Sequence, residues 1–248
     1  MIRIINASKS FYDNKVLDKV SVNFEAGKTN LVIGRSGSGK TVLLKSVVGL
    51  LELDSGEIWY DNTRFDTLDF RRRKPIRKEI GMLFQGSALF DSMTVAENVM
   101  FKLDMFSSLS LAEKKKRVDY CLERVEIRDS NDLLPSELSG GMRKRVAIAR
   151  AIVLNPRYLF CDEPNSGLDP ETAILIDQLI RDITDEFKMT TIVNTHDMNS
   201  VMEIGEKVVF IAEGHKQWEG TNREIMRSDC RPLNDFIFAG ALAKQLKP

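Results

Sequence analysis

The twenty residues LVIGRSGSGKTVLLKSVVGL, Leu31 to Leu50, decide the fold. An apolar run ends at Gly34, a Gly-x-x-x-x-Gly-Lys-[Ser/Thr] pattern follows, and a segment of helical character comes directly after it. That is the strand, loop, helix context in which the pattern forms a phosphate-binding loop. Glycines let the backbone curl until successive N–H groups point inward at phosphate oxygens, and the helix behind presents its positive N-terminal end to the same anion. Lys40 adds a point charge for the β- and γ-phosphates. Thr41 offers a hydroxyl to Mg²⁺, an ion that keeps several waters and takes few protein ligands. Gly34, Arg35, Ser36, Gly37, Ser38, Gly39, Lys40 and Thr41 are therefore candidate nucleotide-binding residues.

Outward from this loop, short β-rich runs alternate with helical stretches. MIRII, SVNFEAG and GEIWYDN come early or just after the loop, and RYLFCDE, TTIVNTH and KVVFIAEG follow later. Strands alternating with helices predict an α/β fold with a largely parallel sheet covered on its faces. The run Arg157-Tyr-Leu-Phe-Cys-Asp162-Glu163-Pro164 is an apolar strand ending in two carboxylates, at the sheet edge where ligands bind in such folds. There Asp162 can complete a metal sphere, and Glu163 can polarise an attacking water as base or positioning group. His196, just past the apolar TTIV, stands at another strand end, within reach of a terminal phosphate. Ser110 and Glu113 spell a capping box before Leu111, Val118, Leu122 and Val125, which share one helical face. They predict a helical insert over about residues 87–140.

With 248 residues, 43% of them hydrophobic, the chain can bury a full core and reads as a single domain over 1–248, with a short C-terminal tail at 231–248. Lysine plus arginine and aspartate plus glutamate both number 36, so no net charge favours nucleic acid as a partner. The three cysteines form no Cys-x-x-Cys pair, which argues against a zinc site. No apolar run reaches the ~18 residues of a spanning helix, so a membrane role requires a partner chain. The basic run from Arg71 to Lys78 reads as a solvated face.

Leu138-Ser139-Gly140-Gly141-Met142-Arg-Lys-Arg-Val-Ala-Ile-Ala-Arg-Ala151 supplies a second anion site: Ser139 is a good N-cap, and the glycines leave N–H groups uncovered at a helix start. This stretch resembles the signature motif of the ABC ATPases. The resemblance covers nearly the whole chain and implies a RecA-like P-loop core with an antiparallel β subdomain and a helical subdomain. It also implies that ATP and Mg²⁺ are sandwiched in a head-to-tail homodimer, each site completed by Ser139, Gly140, Gly141 and Met142 of the other subunit. Gln85 in MLFQ resembles the Q-loop residue and is a further metal contact, Ser166-Gly-Leu-Asp169 resembles the D-loop, and His196 resembles the switch histidine. Glu163 and His196 are then the catalytic pair. Phe11 matches the aromatic that stacks on adenine, with Tyr12 as the alternative. Met142 stands where glutamine is commoner, and Asn165 where threonine or serine is usual.

Within that family, Ile80 to Val99 (IGMLFQGSALFDSMTVAENV), together with Pro135 to Met142, is similar to the ATPases paired with Mce/Mla-type lipid transporters. That similarity implies integral membrane permease subunits as partners and phospholipid as cargo. It also implies a peripheral position on the cytoplasmic side of an inner membrane. A solute importer and a non-transport ABC ATPase are the alternative readings.

Overall fold

In a computed structural model, residues 1–238 are described. Strands β1 (Ile2–Phe11) and β2 (Asn14–Phe24) form a hairpin, and β3 (Thr29–Ile33) leads through the glycine loop into α1 (Lys40–Val47). Next come β4 (Ser55–Tyr60), β5 (Thr63–Arg64), α2 (Phe70–Lys78) and β6 (Ile80–Leu83). Helices α3 (Val95–Phe106), α4 (Leu111–Arg124) and α5 (Gly140–Ile152) follow before β7 (Tyr158–Asp162). The chain then runs through α6 (Pro170–Phe187), β8 (Thr190–Thr195), α7 (Met198–Ile204), β9 (Lys207–Ala212), β10 (His215–Gly220) and α8 (Arg231–Ile237). Of the expected tail at 231–248, residues 239–248 lie outside the described residues.

Two sheets result. One is antiparallel, in the order β2-β1-β4-β5; the other runs β10-β9-β3-β8-β7-β6 and is parallel apart from the β9–β10 hairpin. Every residue of β3, β7 and β8 is buried, as expected of central parallel strands covered on both faces. Because side chains alternate along a strand, these three feed two separate cores. Leu31, Ile33, Leu159, Cys161 and Val193 pack with Val95, Val99, Val146 and Ile180 of the helices on one face. Val32, Tyr158, Phe160 and Ile192 pack on the other with Leu43, Phe24 and Ile58 of α1 and the antiparallel sheet.

Local signals place the helix starts. Thr94 with Glu97, and Ser110 with Glu113, close complete capping boxes on α3 and α4. Ser139 and Asp169 cap α5 and α6 through the N–H groups of Met142 and Thr172. Helix α2 buries none of its residues, and Phe70 is largely exposed. Strand β6 was not evident in the sequence: IGML is four residues long, abuts a helix, and pairs only with β7, some 78 residues further along. The consequence is that Gln85 stands just past a strand end, in the same row as Asp162 and His196.

Candidate functional site

The C-terminal edge of β3, β7 and β8 gathers the candidate residues. Gly39, N-cap of α1, has φ +104°, and a Cβ there would lie 2.7 Å from the Val16 carbonyl oxygen. At Gly34 a Cβ would lie 2.2 Å from the Ile211 carbonyl oxygen. Both positions need glycine because β2 and β9 press against the loop. Ser38 is buried, and its Oγ has no hydrogen-bond partner in the protein. Such a buried, unpartnered hydroxyl at the start of a helix suits an anion's oxygen.

Lys40 is only 5% exposed, and its Nζ donates to the carbonyls of Gly34 at 2.8 Å and Arg35 at 3.1 Å. Burial holds its pKa below the ordinary lysine range, opposed by the charges of Glu163 and Asp162. Thr41 Oγ1 donates to Asp162 Oδ1 at 3.1 Å, and Asn194 Nδ2 donates to the same oxygen at 3.2 Å. A hydroxyl and a carboxylate side by side form a hard-oxygen donor set that fits Mg²⁺. Glu163 has φ +50°, a left-handed conformation unusual for a residue with a side chain, and its N–H donates to Asn194 O at 2.9 Å. That turn aims its carboxylate across the edge, with Oε2 2.8 Å from His196 Nδ1 and Oε1 3.8 Å from Lys40 Nζ.

Gln85 is exposed, and its Nε2 donates to Ser166 Oγ at 3.2 Å, which joins the segment after β6 to the loop after β7. Buried cations hold the segment from beneath: Lys144 donates to the Gln85 carbonyl, and Arg150 to those of Ser87 and Ala88, each at 2.7 Å. Asn98, fully buried on α3, accepts from the Phe90 N–H at 2.8 Å and donates to the carbonyls of Phe90 and Met93.

The signature stretch is placed elsewhere. Ser139 Oγ accepts from Met142 N at 3.2 Å, Asp169 Oδ1 from Thr172 N at 2.9 Å, and Gly141 lies so near Thr172 that a Cβ would be 2.8 Å from its methyl. The starts of α5 and α6 are thus seated together. Among the described residues, no hydrogen bond or ion pair joins Ser139 to Met142 with residues 34–41. Phe11 is 39% exposed with Lys9 Nζ 5.6 Å from its ring centroid, whereas Tyr12 is fully exposed at φ +54° on the hairpin turn. A groove of about 600 Å³ opens beside Arg35 to Ser38, bounded by Phe210, Ala212 and α8; none of Lys40, Thr41, Asp162, Glu163 or His196 lines it.

Sequence reasoning missed Asn194 and Lys144 as members of the site. A polar residue inside TTIVNT, all of it buried, was the available signal for Asn194.

Comparison with known proteins agrees with this geometry. The family described as ABC transporter matches residues 17–166. The methionine import ATP-binding protein MetN of Clostridioides difficile is 38% identical over 237 residues, 96% of this chain and 74% of that protein. MetN of Carboxydothermus hydrogenoformans is 37% identical over 94% of this chain and 68% of its own length. The Fe(3+) ions import ATP-binding protein FbpC of Fusobacterium nucleatum is 34% identical over 95% of this chain and 61% of its own length. Among solved structures, a bacterial ABC transporter cassette in dimeric form superposes with a TM-score of 0.83 at 32% identity, over 90% of this chain and 99% of that one. Its post-hydrolysis dimer, bound to ADP and Pi, gives a TM-score of 0.82.

Proposed function

The chain belongs to the ABC transporter family of ATPases, and we propose that it is the ATP-hydrolysing subunit of a membrane transporter, working as a homodimer. The observation that carries this reading is the convergence of Lys40, Thr41, Asp162, Glu163 and His196 on one sheet edge. Lys40 and the loop N–H groups bind and orient the triphosphate. Thr41 and Asp162, which are hydrogen-bonded to each other, would hold Mg²⁺, with Gln85 as the further ligand we assign to it; when bound, the ion neutralises phosphate charge. Glu163 orients the attacking water and takes its proton, while His196 fixes the carboxylate and faces the terminal phosphate. Ser139, Gly140, Gly141 and Met142 are exposed or half-buried at the start of α5 and serve the nucleotide of the partner subunit, as does Asp169 at the start of α6. Phe11, less exposed than Tyr12 and on the strand paired with β2, which presses against the loop, stacks on the adenine.

For the cargo, the importer names of the relatives support a solute such as an amino acid or metal ion over phospholipid. The phospholipid reading rests on a different observation, the similarity of Ile80 to Val99 to the ATPases of Mce/Mla-type transporters. No helix among the described residues is long and apolar enough to cross a membrane, so in either case the membrane path is supplied by permease subunits. We place the chain peripherally on the cytoplasmic face, with the permease docked at Gly86 to Val99. The test is to purify the chain from membranes with its permease, measure Mg-ATP hydrolysis, and assay the complex in vesicles with labelled solutes and labelled phospholipid. Lys40→Ala is expected to lose nucleotide binding, and normal binding there removes the ATPase assignment. Phospholipid movement without solute uptake reverses the cargo preference.

A further inference from the structure

A polar cluster is buried beneath the loop that carries Glu163 and Ser166, and the reaction as described does not use it. Asp177 on α6 is 2% exposed, and Ser200 on α7 is fully buried. Asn165, next to Ser166, donates from Nδ2 to Ser200 Oγ at 3.1 Å, and the Asp177 carboxyl faces both the Ser200 hydroxyl and the Asn165 amide. Two acceptor oxygens, Asp177 Oδ1 and Asn165 Oδ1, lack a hydrogen-bond partner. A carboxyl that costs free energy to bury, in a helix otherwise packed on Ile176, Leu179 and Ile180, requires a return elsewhere.

The three elements it joins supply that return. The loop after β7 holds Glu163 at φ +50° and places Ser166 against Gln85; α7 begins two residues after His196; α6 begins at the Asp169 cap. Ser200 and Asn165 are the polar link between the first two, and Asp177 anchors that link to the third. Burial above all, and after it the nearby carboxyl groups of Asp197, the cap of α7, and Glu203 on α7, favour the protonated form of Asp177, in which its hydroxyl can donate to an oxygen otherwise without a donor.

We propose that Asp177 is a positioning residue for ATP hydrolysis: through Ser200 and Asn165 it holds the loop bearing Glu163 in register with the start of α7, beside His196. This rests on the ATPase reading. The carboxyl touches no reacting atom, and it acts by limiting how far Glu163 and His196 drift apart. A displacement of about 1 Å at a reacting group costs on the order of 10²-fold in rate, so a partial loosening should be visible in kcat.

The experiment compares full-length Asp177→Leu, Asp177→Asn and Ser200→Ala with wild type, measuring Mg-ATP affinity, kcat and folding. Asp177→Leu is expected to lower kcat about tenfold or more with the Mg-ATP Kd within about twofold of wild type, and Asp177→Asn to restore kcat to within about threefold. A kcat unchanged in folded Asp177→Leu, a kcat loss matched by an equal loss of affinity, or an Asp177→Asn no better than Asp177→Leu overturns the proposal. If Asp177→Leu does not fold, Ser200→Ala decides: a fall of about fivefold in kcat at constant Kd is expected, and wild-type kcat overturns it. Wild-type protein that binds and hydrolyses no ATP refutes the ATPase reading itself, and this proposal falls with it.

Discussion

His196 Nδ1 lies 2.8 Å from Glu163 Oε2, while the other oxygen of the same carboxylate is 3.8 Å from Lys40 Nζ. One side chain thus spans the ends of three strands, with a cation on one side and an imidazole on the other. The geometry is held by a left-handed backbone at Glu163, which a residue with a Cβ adopts at a cost of about 1–3 kcal/mol when the surroundings enforce it.

Glu163→Gln is therefore expected to separate binding from chemistry. The amide preserves the shape and a hydrogen bond to His196 but is no base, so hydrolysis should fall by about 10²- to 10⁴-fold while Mg-ATP still binds. Single-turnover kinetics and equilibrium nucleotide titration check this. Turnover near the wild-type rate would remove Glu163 from the reaction.

Gly39→Ala probes the loop itself. Its Cβ would lie 2.7 Å from the Val16 carbonyl oxygen and would force φ +104° on alanine. A loss of about 1–3 kcal/mol in stability, with weakened nucleotide binding, is expected. Urea unfolding paired with a nucleotide titration reads both; a stable variant with wild-type affinity contradicts the close approach of β2 to the loop.

Asn98→Ala should loosen the segment after Gln85. The side chain satisfies backbone groups of Phe90 and Met93 from a fully buried position, and its removal leaves them unpaired at a cost of about 1–3 kcal/mol. Faster hydrogen exchange confined to residues 86–94, at a temperature where the rest of the chain remains folded, is the diagnostic result. Uniform exchange changes across the chain would locate the effect in the core instead.

Asp177 makes stability depend on pH. Burial pushes its pKa up to about 6, whereas an aspartate in the unfolded chain titrates near 3.8. As pH rises, the unfolded chain releases this proton first, so the group's contribution to stability falls between about pH 4 and 6 and is level above. Asp177→Asn abolishes that fall, and its stability relative to wild type should rise by on the order of 2–3 kcal/mol between pH 4 and 7. Denaturant melts at several pH values measure the gap; a gap that stays constant with pH disproves the buried titration.

The phosphate loop was legible in the sequence because its chemistry depends on residue types a fixed few positions apart. Gly34 to Thr41 and the caps Ser110 and Ser139 carry their geometry in the local backbone, and the apolar run before Asp162 marks a strand end wherever that strand is placed. The same text pointed to the family but left the cargo divided: residues 80–99 resemble lipid-transporter ATPases, whereas relatives of the chain are named for import of methionine and Fe(3+).

Other relationships depended on pairing between distant segments, which no local pattern encodes. Strand β6 exists because IGML finds β7, Asn194 reaches Asp162 because β7 and β8 are in parallel register, and Asp177 is buried because α6 and α7 close over it. Sequence alone determined which residues can bind phosphate, ligate a metal and activate water, since those capacities belong to side chains and their near neighbours. Tertiary structure alone decided that Glu163 meets both His196 and Lys40 while Ser139 is bonded to the start of its own helix, because the packing of strands and helices sets distances that sequence separation does not.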